Sequence, residues 1–588
     1  MKPRTLPRLL ALLLAGLLAA CAVTQQDGTS AQSQPGIAHR SENEIKLASQ
    51  PQPQPAITQG KPAESILAGA LAAPTAPRRD APKGEMKRDI SANKMMAYAT
   101  QPAPAVYEAI RQQPQDDRER YGQLKDNPVK QVAEAPVSTF SIDVDTGSYS
   151  NVRRMLNAGH LPPSDAVRVE ELINYVPYDY ALPKDGRPFA VHTEMAPAPW
   201  NAERILLRIA IKGQDIAKQA LPPANLVFLV DVSGSMNSAD KLPLLKSSLK
   251  LLVNEMREQD RLSLVTYADG TRVALSPTAG NEKATINAAI DALRSSGSTA
   301  GASGIQLAYS AAQQSFIKGG INRILLATDG DFNVGISDNR QLKSMIEEKR
   351  KSGISLSTLG FGTGNYNEAM MEQIADVGDG AYSYIDSLME GHKVLVNEMT
   401  STLATIAKDV KVQIEFNPAV VKEYRQIGYE NRQLAREDFN NDAVDAGDIG
   451  AGHTVTALYE LTLVGGKPSV DALRYAPQAS TEGPRANELG HLKLRYKLPE
   501  ASNSQLIDFA LQRNAIKSLD AASSEFRFTT AVAAYGQILK GGKYTGSWTY
   551  ADARQLAMNN LGKDKFGYRG EFLRLIDLAS SLSTKATK

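Results

Sequence analysis

Asn225-Leu-Val-Phe-Leu-Val-Asp231-Val-Ser-Gly-Ser-Met236 is the stretch from which the rest of this 588-residue chain is ordered. Its first six residues are apolar enough to be covered on both faces, as a central strand of a parallel sheet must be. The strand runs straight into a tight loop, and a helix is predicted over Leu242–Met256. Ligand sites in open parallel sheets form at the carboxyl ends of the strands. Asp231, Ser233 and Ser235 therefore stand where a site belongs, with alternate side chains of the loop turned the same way. Alone the pattern is weak, because Asp and Ser cap helices in every kind of protein.

Working outward, Ser296-Gly-Ser-Thr299-Ala-Gly301 is a loop of small residues between helical segments. Asn322–Ala327 is a second apolar strand, ending in Thr328-Asp329-Gly330-Asp331. Thr-Asp-Gly by itself is an ordinary turn, but here it follows a buried strand, in order, behind the first motif. Asp331 reads as a solvated loop acid, and Asn333 as a residue that shapes the loop. Strands and helices alternate throughout residues 225–405, which implies a doubly wound α/β domain. Gly360-Phe-Gly-Thr-Gly364 lacks the helix entrance of a dinucleotide-binding turn and reads as part of this domain's closing strands.

The flanks read differently. Thr139–Val144 is a predicted strand, and Asp145/Thr146 cap a helix over Tyr149–Asn157; a second helix is expected at Ala166–Asn174. Asp143-Val-Asp145 fits neither Asp-x-Ser-x-Ser nor a calcium loop. Phe189–Glu194 and Arg204–Lys212 alternate as strands before the α/β block; Val410–Phe416, Val421–Tyr429, His453–Leu463 and Leu489–Leu498 do so after it. A β-sandwich built from both flanks, with the α/β domain inserted between them, accounts for that order. Helices are predicted at Gln505–Leu519, Glu525–Leu539 and Phe572–Leu582. The expected divisions are 135–222 (helices and two sandwich strands), 223–405 (α/β), 406–500 (β-rich) and 501–588 (helical).

The set Asp-x-Ser-x-Ser, loop Thr and strand-end Thr-Asp-Gly resembles the von Willebrand factor type A domain and its metal-ion-dependent adhesion site, over about residues 224–405. The resemblance implies that Ser233, Ser235 and Thr299 supply hydroxyl oxygens to a divalent ion. Asp231 and Asp329 would hold it directly or through waters. Hydroxyls, carboxylates and water are hard ligands suited to Mg²⁺, with Mn²⁺ or Ca²⁺ as substitutes. Two carboxylates and three neutral hydroxyls leave such an ion under-neutralised, so an Asp or Glu of a partner protein is a favourable further ligand. A catalytic site would want a general base beside an open position, and none is readable. The expectation is a binding protein, not an enzyme; a metal-assisted hydrolase of envelope material and a structural protein with a vestigial domain are the alternatives. Ser138–Ser150, Arg168–Tyr180 and Asp448–Glu460 resemble the flanks of a family of bacterial lipoproteins whose C-terminal domain has no known function. That likeness spans about 135–585.

The N-terminus supports the same placement. Lys2, Arg4 and Arg8 precede the apolar run Leu9–Leu18, which is too short to span a bilayer comfortably. Leu18-Ala-Ala-Cys21 resembles a bacterial lipobox, with residues 1–20 removed and Cys21 acylated. Cys21 is the single cysteine of the chain, so no intrachain disulfide can form. Ala22 in place of Asp points to the outer membrane, with the chain facing the periplasm or the cell surface. Residues 21–134 read as a Pro/Gln/Ala-rich tether: the segment 22–130 holds 12 of the 31 prolines, and no Phe or Trp precedes Phe140, too little apolar surface to offset chain entropy. With 66 Lys+Arg against 64 Asp+Glu, no basic excess supports a nucleic-acid surface. The membrane is met through the lipid anchor alone, and the expected partner is another envelope protein.

Overall fold

Strands made before and after the central α/β block pair with one another. The computed structural model describes residues 119–586 apart from 124, 298–300, 331–338, 472–473 and 475–484. The signal segment, Cys21 and nearly all of the expected tether lie outside these residues. The described chain opens with β1 (Lys130–Gln131), β2 (Val137–Ser141), α1 (Gly147–Asn157), α2 (Val169–Tyr175), β3 (Phe189–Ala198) and β4 (Asn201–Gly213). The described residues include the end of the expected tether: β1 pairs with a later strand, and Glu119 accepts a 2.7 Å bond from Arg154.

The α/β block contributes β5 (Ala224–Asp231), α3 (Leu242–Glu255), β6 (Arg261–Tyr267), β7 (Thr271–Ala279), α4 (Lys283–Ala292), α5 (Gly301–Gln314), β8 (Ile321–Thr328), α6 (Asn339–Arg350), β9 (Ser355–Phe361), α7 (Glu368–Val377), β10 (Tyr382–Ile385), α8 (Leu388–His392) and α9 (Met399–Leu403). Its sheet runs β10-β9-β8-β5-β6-β7, parallel except for the edge strand β7. Strand β5 is buried at every residue. Leu226, Phe228 and Val230 meet α3 and α4 through Leu245, Leu249 and Ile290, while Val227 and Leu229 meet Ile305 and Ala308 of α5 and Ile346 of α6. The two-residue alternation of a strand thereby fills two helical layers from one segment.

The chain then forms β11 (Thr405–Phe416), β12 (Val421–Ile427), β13 (Ile449–Gly450), β14 (Thr454–Leu463), β15 (Glu488–Lys497), β16 (Ser504–Gln512), α10 (Ser524–Leu539), α11 (Tyr550–Met558) and α12 (Tyr568–Ala586). One sheet is β1-β12-β14-β4-β3, the other β13-β11-β15-β16 with β2 on β11. Strand β4, before the α/β block, pairs antiparallel with β14 from Arg204↔Thr462 to Lys212↔Thr454. Both sheets contribute to one core, with Leu207, Ile209 and Tyr459 from the first and Val412, Ile414 and Leu492 from the second. Helices α1, α2 and α10–α12 share a separate core around Tyr175, Phe526 and Phe572.

Two local expectations need correction. Gln505–Leu519 is not a helix: its first half is β16, paired with β15 along its length. The start of α1 has no side-chain cap. Asp145 instead accepts a 2.8 Å bond from the Tyr382 amide and pairs with Arg432 at 3.0 Å, so it ties α1 to the β10 edge of the α/β sheet.

That edge is held by two buried arginines and a half-buried third. Arg153 of α1 reaches Asp386 at 2.8 Å, Glu390 at 2.7 Å and Glu571 of α12 at 2.9 Å. Arg168 reaches Glu372 of α7 at 2.6 Å. Arg432 reaches Asp376 at 2.8 Å as well as Asp145. Among the described residues, no helix is long and apolar enough to cross a membrane.

Candidate metal and partner site

The carboxyl ends of β5 and β8 lie side by side, in register from Ala224↔Ile321 to Val230↔Ala327. Asp231, one residue beyond the last pair, and Asp329, two beyond it, are both fully buried there. Every oxygen of Asp231 is engaged: Oδ1 accepts the Ser233 amide at 2.9 Å, and Oδ2 accepts the hydroxyls of Thr328 at 2.9 Å and Tyr267 at 3.2 Å. Burial pushes the Asp231 carboxyl up to about 6; the Ser233 and Thr328 bonds pull it down, and the Asp329 charge adds to the rise.

Beyond Asp231 the loop turns its hydroxyls together. Ser233 Oγ and Ser235 Oγ are 3.0 Å apart, Ser233 buried and Ser235 exposed. Their shared hydrogen bond is of the kind two oxygens exchange for a common cation. Ser296 and Gly297 are fastened alongside: the Ser296 amide donates to Val232 O at 2.7 Å, and the Gly234 amide to Gly297 O at 3.0 Å. Gly297 has φ +81°, and a Cβ there would strike the Asp269 carboxylate. Thr299 itself lies outside the described residues, as do Asp331 and Asn333.

Sequence reading missed two members of this end of the sheet. Lys241, just ahead of α3, places its ammonium 2.9 Å from Asp329 Oδ2 and 3.3 Å from Asn365 Oδ1, with its side chain 8% exposed. Its stem lies against Gly362, where φ is +77° and a Cβ would overlap Lys241 Cε. The Gly-Phe-Gly-Thr-Gly segment thus makes room for a lysine, not a phosphate. Tyr267, the last residue of β6, was likewise not singled out; its place at a strand end is the signal that could have found it.

The donor set fits a small hard cation: carboxylate and hydroxyl oxygens with no sulfur or imidazole. Among the described residues, no three His, Cys, Asp or Glu side chains cluster as a metal cage.

This fold, with these groups at the carboxyl end of its sheet, defines a von Willebrand factor type A domain protein. Residues 225–398 match the von Willebrand factor type A domain, 115–208 match a family described as von Willebrand factor, and 401–582 match the C-terminal domain of the YfbK proteins. The chain is 56% identical over 473 residues to the uncharacterized protein YfbK of Escherichia coli (strain K12), covering 79% of this chain and 81% of that one. It belongs to the YfbK family. It is also similar to protein sll0103 of Synechocystis sp. (strain ATCC 27184 / PCC 6803 / Kazusa), at 25% identity over 53% of this chain and 70% of the relative. Among solved structures, a von Willebrand factor type A protein from Catenulispora acidiphila aligns at 14% identity, over 65% of this chain and 89% of that one. Its TM-score of 0.38 is too low to bear on how the parts are arranged.

Proposed function

We propose that this chain is a lipid-anchored protein of the bacterial cell envelope that grips partner proteins through a divalent ion held by Asp231, Ser233, Ser235, Thr299 and Asp329. The observation that carries the binding part is the paired Ser233 and Ser235 hydroxyls, 3.0 Å apart, beside the fully engaged Asp231. Ser233, Ser235 and Thr299 would meet the ion by their hydroxyls, and Asp231, whose oxygens already accept donors, through waters. Mg²⁺ suits this set because it retains waters and takes hard oxygens. The ion supplies a positive charge that two carboxylates balance only formally at a distance, so a partner's Asp or Glu completes the site. This is binding chemistry, and we assign no reaction to it.

The anchor reading rests on Cys21 and the run before it. Acyl chains there would fix the protein to the outer membrane and leave the folded part in the periplasm or at the surface.

Crosslinking in live cells with and without chelator tests the mechanism. Asp231→Ala should abolish Mg²⁺ binding by calorimetry and metal-dependent crosslinks, while the circular dichroism spectrum is retained. Partner capture unchanged in EDTA would sink the metal-dependent reading. Separately, Cys21→Ser should move the protein from the membrane fraction to the soluble one; retention in the membrane fraction refutes the anchor.

A further inference from the structure

Beside the Asp231–Ser235 loop lies a groove of about 310 Å³ between α3 and the end of α4. It starts at Asn237 and Ser295, whose side chains meet at 3.0 Å. These two residues stand next to the chemistry above: Asn237 is two residues past Ser235, and Ser295 directly precedes the Ser296 amide held by Val232. The groove therefore continues the candidate metal site and is not a separate cavity.

Its charged lining is Lys246, Lys250 and Arg294 against the single carboxylate of Asp291. All three cations are aimed there by the C-terminal end of α4. Lys246 Nζ donates to Asp291 O at 3.0 Å and Leu293 O at 3.3 Å. Lys250 Nζ meets Asp291 Oδ1 at 2.6 Å, and Arg294 donates to Leu293 O at 2.8 Å. Carbonyls at a helix end attract cations, which explains one such residue. Three of them crowd to a net positive wall, on a chain whose total charge is only +2. Desolvation together with the Arg294 and Lys250 charges holds the Lys246 amine below its usual range. An ammonium offers three N–H donors and a guanidinium five, more than the contacts above use.

We infer that this groove is the specificity subsite of the metal-dependent interaction and receives further carboxylates of an acidic protein segment whose leading Asp or Glu meets the ion. The inference rests on the function proposed above. Charge complementarity selects the occupant: a segment with one isolated acid satisfies the metal alone, whereas an acidic run satisfies both metal and wall. Such rim charges act chiefly on specificity and association rate.

The test uses the full chain and short Gly/Ser peptides carrying one Asp, the same peptides with two added Glu, and versions with phosphoserine in place of Glu. In Mg²⁺ the Glu-flanked peptide should bind about tenfold tighter than the single-Asp peptide, the size of two or three partly exposed ion pairs together. Raising the salt should shrink that preference. The variant Lys246→Glu/Lys250→Glu/Arg294→Glu should erase it while Mg²⁺ still binds, no more weakly than to the wild type. The milder Lys246→Gln/Lys250→Gln, which spares Arg294, should erase part of it should the reversal fail to fold. No Glu preference in either Mg²⁺ or EDTA, or a preference that survives both variants, overturns the subsite. Tighter binding of phosphoserine than of Glu overturns its assignment to carboxylates. Failure of the wild type to bind Mg²⁺ strikes the metal reading alone, since the Glu preference is scored separately in EDTA.

Discussion

Two regions of this molecule gather carboxylates, and they treat them in opposite ways. At the β10 edge, Asp386, Glu390, Glu372, Asp376 and Asp145 meet the guanidinium groups of Arg153, Arg168 and Arg432. At the carboxyl end of β5 and β8, Asp231 and Asp329 meet hydroxyls and one ammonium. A guanidinium is planar, permanently charged and satisfies several oxygens at once, so the first region closes and binds the flanking blocks to the α/β domain. Hydroxyls are neutral and can change partner, so the second region is the one where the proposed cation would enter. Acid content alone does not mark a ligand site; the nature of the groups facing the acids does.

The largest effect should come from breaking the closed region. Arg153→Met leaves Asp386, Glu390 and Glu571 without their shared cation, and truncating one side of a buried ion pair costs about 3–5 kcal/mol. Denaturant unfolding should show a loss of that order, and an unchanged midpoint would mean the junction contributes nothing. A smaller effect is expected at the open region from Lys241→Met. It removes the ammonium that faces the buried Asp329 carboxylate, one charged contact against three at Arg153, at a cost of about 3 kcal/mol, but a bound Mg²⁺ should restore most of it. The thermal shift produced by Mg²⁺ should therefore be greater in the variant than in the wild type. Equal shifts would show that ammonium and metal do not share Asp329.

The smallest effect, counted per pH unit, concerns Glu170 of α2. Neither of its carboxylate oxygens has a hydrogen-bond partner among the described residues, and burial, with the nearby Glu430 and Asp143 charges, pushes it up to about 8. Its folded pKa lies above the unfolded value, so the native state holds the extra proton between roughly pH 4.3 and 8. Its contribution is complete below that window and is lost as pH rises through it, at about 1.4 kcal/mol per unit. Glu170→Gln should flatten the fall in melting temperature between pH 6 and about 8; parallel curves would place the titration elsewhere.

The open region was far more legible in the sequence than the closed one. Asp231, Ser233 and Ser235 occupy one loop after one apolar strand, so spacing alone brings them together, and Asp329 ends a second such strand. The sandwich was legible because alternating strands stood on both sides of the α/β block. The arginine contacts span separations of 233 residues for Arg153–Asp386 and 204 for Arg168–Glu372, and such pairs leave no local period. Lys241 was overlooked for a related reason: nothing nearby in sequence says that it will meet a residue 88 positions later. Strand β16 was misread because Leu506, Ile507, Phe509 and Ala510 also suit a helix. Pairing with β15 overrides that preference and leaves Leu506, on an edge strand, 52% exposed.

The way the α/β block is spliced into the sandwich has a mechanical consequence. A Cβ on Gly213, at the end of β4, would lie 2.9 Å from Ile406, just inside β11, so the two splices lie together. The Asp231–Ser235 loop stands at the far end of β5, roughly 25 Å away along eight residues of strand. Whatever tugs on that loop pulls β5 lengthwise, where its ladders to β6 and β8 bear the load first, and what they do not hold passes through residues 214–223 to β4. There β4 is flanked by β3 and β14, whose ladder bonds lie across the line of force and share the strain in parallel. A load taken up at the tip is thus shared between two sheets, each pulled along its strands, the direction in which its ladder bonds act together.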